Sequence, residues 1–231
     1  MKTIGLVGGI SWTSTIDYYR YINEETNKRL GSLNFAECII CSVNFEHFRL
    51  ANAAHDWDAA FELLSNAAHK LEAAGAELIM LGANTAHIVA DRIRSAIQLP
   101  LIDIREATVT AIRNKKLKKL ALLGTVYTME LDFYKSYLSN AGLEVMIPGT
   151  KMEIDYIEHS LLYELGKGIM LRETKLQYLA IIKKLIDRGA EGIILGCTEI
   201  PLLINQEDVP VPVFNTTWLH ANAAVEFALL A

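Results

Sequence analysis

Cysteine is scarce in this 231-residue chain, with Cys38, Cys41 and Cys197 the whole set. An odd count does not make a closed disulfide framework. The opening MKTIGLVGG has no basic, apolar, small-residue leader, so a cytoplasmic protein with reduced thiols is expected. Long hydrophobic runs are also missing. The longest, such as GIILGC and KLALLGT, fall far short of the roughly 20 residues of a membrane span, and no membrane partner is expected. Basic charge is not in excess: the formal charge is −5, and the one basic cluster, Arg113 to Lys119, reads as a helix C-terminus and its loop. Nucleic acid is therefore excluded as a partner. Cys38 and Cys41 form a C-x-x-C spacing with no second pair to complete a zinc site. On a strand, three residues apart, they face opposite sides of a sheet as small buried hydrophobes, and no metal is expected. The glycine turn GLVGGIS follows a strand and precedes a helix, but it is not G-x-G-x-x-G and lacks the Lys-Ser/Thr of a P-loop.

What the chain does have is the composition of a packed α/β protein, 52% hydrophobic and 21% charged. Short β-rich runs alternate with segments of helical period: TIGLVG, residues 13–29, AECIICSV, residues 56–73, ELIMLG, residues 86–97. That order predicts parallel sheets whose strands are apolar nearly throughout because helices cover both faces. The chain also repeats itself. Gly75-Ala-Glu-Leu-Ile-Met-Leu-Gly-Ala83 aligns without gaps on Gly189-Ala-Glu-Gly-Ile-Ile-Leu-Gly-Cys197, and TIGLVGG matches KLALLGT at nearly the same offset. A plainer reading is that any helix, glycine turn and buried strand look alike. The match, however, runs on into polar residues, Asn84-Thr85 in one copy and Thr198-Glu199 in the other. The expectation is two pseudo-symmetric α/β subdomains, residues 1–98 with 212–231 and residues 99–211. Each is a parallel sheet flanked by helices, with the active site in the cleft between them.

The segments IGLVGGISW, NTAH, LGTVYTM and GCTEIPLL, in this order along the whole chain, resemble the aspartate/glutamate racemase family, specifically its aspartate racemase branch. That resemblance implies an isomerase that needs no pyridoxal phosphate or other cofactor, a small amino-acid or dicarboxylate substrate, and a homodimer. It also implies two catalytic cysteines, at the positions of Ala83 and Cys197, and only Cys197 is a cysteine. The chemistry explains the pair. An amino acid's α-proton is very weakly acidic, so the protein must stabilise an enediolate on the carboxylate while one group removes the proton and a second returns it on the other face. A strand-end Cys197 opening a helix is expected to be partly ionised near neutrality. Alanine at position 83 can neither remove nor return a proton. It is compatible with a cysteine replaced by alanine, with a natural one-cysteine member, or with chemistry similar to that of arylmalonate decarboxylases, which keep only the second cysteine. A dicarboxylate-binding protein without turnover is the non-enzyme alternative.

The remaining site residues follow from the resemblance. Asn84, Thr85 and Thr198, with backbone N–H groups after the two strands, are placed to donate to the substrate carboxylate. Ile10 and Ser11, next to Gly9, would line the cleft, with Thr125 and Thr128 as their counterparts in the second half. Arg49, with Asn52 nearby, is the first choice for the distal carboxylate, and Lys167 in ELGKG is a further cation. Glu199, where glutamate racemases are expected to hold histidine, would orient Cys197 or favour a helix N-terminus. His87 is read as a structural hydrogen-bond partner. Aspartate and glutamate both remain open as substrate.

Overall fold

The computed structural model describes residues 1–230. Among the described residues there are eight strands, β1 (Ile4–Gly8), β2 (Cys38–Ser42), β3 (Leu78–Leu81), β4 (Leu101–Ile102), β5 (Lys119–Gly124), β6 (Glu144–Met146), β7 (Gly192–Gly196) and β8 (Val213–Asn215). The helices are α1 (Trp12–Leu30), α2 (Phe45–Ala53), α3 (Trp57–Ala73), α4 (Ala90–Ala96), α5 (Ile104–Asn114), α6 (Val126–Glu130), α7 (Asp132–Asn140), α8 (Lys151–Tyr163), α9 (Arg172–Asp187) and α10 (Thr216–Leu229). Two four-stranded sheets form, ordered β2-β1-β3-β4 and β6-β5-β7-β8, and every pairing is parallel. The α/β architecture expected from the alternation is thus observed, with helices flanking both sheets. No helix among the described residues is long and apolar enough to cross a membrane.

The chain divides into two compact units, residues 1–107 with the segment from Thr217 onward, and residues 108–216. Leu101–Ile102 pairs with β3 in the first sheet, and Val213–Asn215 with β7 in the second. Boundaries at 98/99 and 211/212 would each fall one strand early. QLPL and VPVP look like linkers, but each leads into an edge strand of the sheet it has just left.

The internal repeat has a physical basis. In the first sheet Ile4 pairs with Leu78 and Val7 with Leu81; in the second Leu120 pairs with Gly192 and Leu123 with Leu195. These are the same registers that the two sequence matches imply. Within the G-A-E triplet each residue has its own task. Gly75 and Gly189, with φ of 95° and 97°, close α3 and α9 in the left-handed conformation that favours glycine. Ala76 and Ala190 are buried. The carboxylates of Glu77 and Glu191 reach across to the start of the neighbouring central strand. Glu77 accepts from the Thr3 N–H at 2.7 Å, and Glu191 from the N–H groups of Lys118 and Lys119 at 2.7 and 3.0 Å. Helix-end chemistry accounts for the glycine alone; the glutamate ties one strand to the next, which explains why the triplet recurs intact.

The central strands β1, β3 and β7 are buried at every position. β2 differs, because it is an edge strand and only partly covered. Its two cysteines do pack against different apolar clusters, Cys38 with Ile4, Leu6 and Tyr18, and Cys41 with Val7, Phe48 and Leu64. They are half-buried, not enclosed, and this corrects the expectation of full burial. Partial burial still pushes the Cys38 thiol above its ordinary pKa. Among the described residues no three of His, Cys, Asp and Glu are grouped to hold a metal ion.

Gly9 decides the nature of the first turn. Its φ is 79°, and a Cβ there would lie 2.2 Å from the Val43 carbonyl oxygen and 2.4 Å from Ser42 Oγ. The turn is tight because β1's exit runs against β2's. Gly9→Ala is expected to cost about 2–4 kcal/mol, through strain at positive φ and a backbone clash, read as a lower urea midpoint at unchanged slope. An unchanged midpoint would mean that the turn rebuilds freely.

Candidate active site

In the second unit β7 delivers Cys197 immediately after Gly196, whose register partner is Gly124 at the end of β5. A short 3₁₀ turn, Ile200–Leu202, follows, with Pro201 in its first residues. The expected helix opening at Cys197 is therefore absent, and with it the lowering of the thiol. Cys197 Sγ–H donates instead to Glu199 Oε2 at 2.9 Å, and the Thr198 hydroxyl donates to the same oxygen at 2.8 Å. Burial pushes the thiol well above its ordinary value, and the Glu199 carboxylate pushes it further. Cys197 rests as a neutral acid, not as a partly ionised base.

β5 ends in the other expected group. Thr125 caps α6, its Oγ1 accepting from the Thr128 N–H at 3.3 Å and lying 3.2 Å from Thr128 Oγ1. Ser11 does the same task three residues beyond β1, capping α1 by accepting from the Ser14 N–H at 3.4 Å, with Thr13 Oγ1 2.8 Å away. Both hydroxyls sit at strand exits as expected, and both already serve a helix. Ile10 packs into the apolar cluster with Val7 and Phe48, so its side chain belongs to the core. Lys167 closes a 3₁₀ turn, exposed, with its ammonium 5.4 Å from the centre of the Tyr163 ring.

In the first unit β3 runs through Gly82 to Ala83, and a 3₁₀ turn follows at Thr85–Val89. Asn84 and Thr85 are buried there, next to Ala83. The positions of Ala83 and Cys197 share one property. Within 78–87 Ala83 alone keeps partial exposure, and within 192–200 Cys197 alone does. Each strand end thus opens at a single residue. On α2, Asn52 is buried with no hydrogen-bond partner for Oδ1, whereas Arg49 is exposed and clasps Glu46 through two bonds of 2.6 and 2.7 Å. That clasp holds the Glu46 carboxyl below its usual range. A substrate carboxylate at Arg49 would compete with Glu46.

His87 is structural, as expected, and its task is specific. Nδ1 lies 2.9 Å from the Ala83 carbonyl oxygen, and Nε2 receives the Ile104 N–H at 3.2 Å. A carbonyl only accepts and an amide only donates, so the ring is neutral with its proton on Nδ1. It fastens the Ala83 backbone to the start of α5. Burial lowers the imidazole's pKa, in keeping with the neutral form.

Sequence reasoning missed the neighbours of this ring. His220, on α10, stands edge-on to His87 with centroids 5.5 Å apart, donates from Nε2 to the Ile102 carbonyl at 2.7 Å and accepts from the Tyr18 hydroxyl at 2.9 Å. Burial, with His87 close by, lowers it to about 3. Asp103, also buried, accepts from the Arg105 backbone and guanidinium and from Arg94. A lone histidine in an apolar helix is the only signal the sequence offers for such a network.

The network predicts acid sensitivity. In the unfolded chain His220 takes up a proton below about 6.5, while the folded chain resists until about 3, so stability is lost as pH falls through that window. At pH 5 the loss assignable to His220 is about 2 kcal/mol. Urea midpoints at pH 7 and pH 5 measure it, and His220→Gln should remove that share of the difference.

The family profile described as Asp/Glu/Hydantoin racemase matches residues 7–224. The broad specificity amino-acid racemase RacX of Bacillus subtilis is 23% identical over 230 residues, covering 96% of each chain. Among solved structures, a candidate Asp/Glu racemase from Yersinia pestis is 46% identical, with a TM-score of 0.92, over 99% of this chain and 100% of its own. An aspartate racemase homologue from Pyrococcus horikoshii is 37% identical, with a TM-score of 0.86, over 99% of both. With a profile spanning both units and a shared fold, this chain belongs to the Asp/Glu/Hydantoin racemase family.

Proposed function

We propose that this chain is a cofactor-independent amino-acid racemase in framework, acting at the α-carbon of aspartate or glutamate with Cys197 as its one thiol acid/base and Ala83 in the place of the second. One observation carries the reading: the partly open residue at each equivalent strand end is Cys197 in one unit and Ala83 in the other. Thr198, Thr125 and Thr128 in the second unit, and Ser11, Asn84 and Thr85 in the first, are the proposed carboxylate donors. Arg49, Asn52 and Lys167 are assigned the distal carboxylate. Glu199 orients the thiol. Likeness to an aspartate racemase homologue favours aspartate. A cytoplasmic homodimer is part of the proposal.

With a single thiol, a proton removed from one face of Cα returns to the same face. The test is the α-proton NMR signal of L- and D-aspartate, then glutamate, in deuterated buffer. Deuterium exchange in one enantiomer with little inversion supports the reading; no exchange in any of the four sinks it. The high resting pKa of Cys197 also favours a second reading, in which the thiol only protonates an enediolate formed by loss of CO₂. Release of CO₂ from aryl- or aminomalonate, with no exchange into aspartate, would select it.

A further inference from the structure

The carboxyl of Glu158 has no part in the site described so far. It projects from α8, which packs on β5 and α6, and its Oε2 accepts from the Val126 N–H at 2.7 Å. Val126 lies two residues beyond Gly124, and Cys197 one residue beyond Gly196; those glycines are register partners on adjacent strands, which run about 4.8 Å apart. Val126, Cys197 and Ile157, the neighbour of Glu158, also share one apolar cluster. The carboxyl is thus pinned beside the strand end that carries the thiol. No Lys, Arg or His forms a salt bridge with it among the described residues; burial raises its own pKa, and the Val126 N–H, by bonding the charged form, opposes that rise.

We propose that Glu158 is a positioning residue for Cys197, keeping a negative charge at the β5 exit so that the neighbouring sulfur rests as a protonated thiol, ready to donate. The charged and titratable groups that act electrostatically on Cys197 include Glu199 from its own loop and Glu158 from α8; Cys197 acts in turn on the Tyr178 phenol of α9, as do Tyr156 and Glu164. All are acids, and burial keeps Tyr178 a neutral phenol hydrogen-bonded to Ser160 Oγ at 2.9 Å. Thiolate at Cys197 is therefore opposed by two carboxylates, one from its own loop and one from α8. A purely structural Glu158 would do no more than satisfy the Val126 N–H.

Glu158→Gln separates the two roles, because the amide oxygen still accepts from Val126 while the charge is gone. The measurement is the rate of iodoacetamide alkylation at Cys197 from pH 6 to pH 10, followed by peptide mass spectrometry so that Cys38 and Cys41 are scored apart. The variant's profile should move to lower pH, with alkylation at pH 8 at least about threefold faster after allowance for the weaker nucleophilicity of a more acidic thiol. Superimposable profiles would overturn the proposal. Should E158Q lose its native circular dichroism, Glu158→Met, uncharged and of similar volume, carries the same expectation and the same refutation. The inference rests on Cys197 being the reacting group, but alkylation needs no turnover. A shifted profile with no proton exchange in any substrate would sink the racemase reading and leave this one standing.

Discussion

Ala83→Cys is expected to turn α-proton exchange into inversion, raising the rate of enantiomer interconversion by at least about a hundredfold. Inversion needs a proton donor on the face opposite to the one attacked, and a methyl group offers none. A sulfur at position 83 would supply it at a residue that is already partly exposed, so little core packing has to yield. The backbone there is held by His87 through the Ala83 carbonyl, which keeps the new thiol at a fixed strand end. Chiral chromatography of aspartate incubated with the variant and with the unaltered protein decides the matter. Rapid inversion by the unaltered protein would show that another residue or a water molecule already serves as second donor. No inversion by the variant would show that position 83 does not face the reacting carbon.

Cys197→Ser should abolish proton exchange almost completely, by about 10³-fold or more, with the Michaelis constant little changed. The serine hydroxyl can still donate to Glu199, so the local hydrogen bonding survives and the fold should be intact. What is lost is a group whose conjugate base forms at accessible pH. Cys38→Ser and Cys41→Ser serve as controls, since both residues lie on the edge strand β2, and should retain exchange. Retained exchange in C197S would remove the thiol from the mechanism.

Both results depend on how strongly the resting state favours the thiol. Desolvation and Glu199 oppose the thiolate, so little base is present at neutrality. Activity should climb with pH for as long as the fold holds. That inverts the expectation from sequence, where a helix opening at Cys197 was to lower its pKa. The sequence motif GCTEIP looked like a helix start because Thr, Glu and Pro are common there. The chain instead makes a single 3₁₀ turn, and Glu199 spends its carboxylate on the two side chains just before it.

The sequence by itself determined the α/β class, the repeat and its register, and the two strand ends at residues 83 and 197. These are legible because each follows from local rules: an apolar run long enough for a buried strand, a glycine that closes the preceding helix, and a glutamate directly before the strand. Tertiary structure alone decided the rest. Edge position left Cys38 and Cys41 half-buried, and pairing with β3 and β7 assigned Leu101–Ile102 and Val213–Asn215 to their sheets. Long-range contact also made a network of His87, His220 and Tyr18, whose numbers lie up to 202 apart, and brought Glu158 from α8 to the end of β5. The physical reason is common to all of them. Hydrogen bonds and desolvation depend on which groups meet in space, and no periodicity along the chain records those meetings.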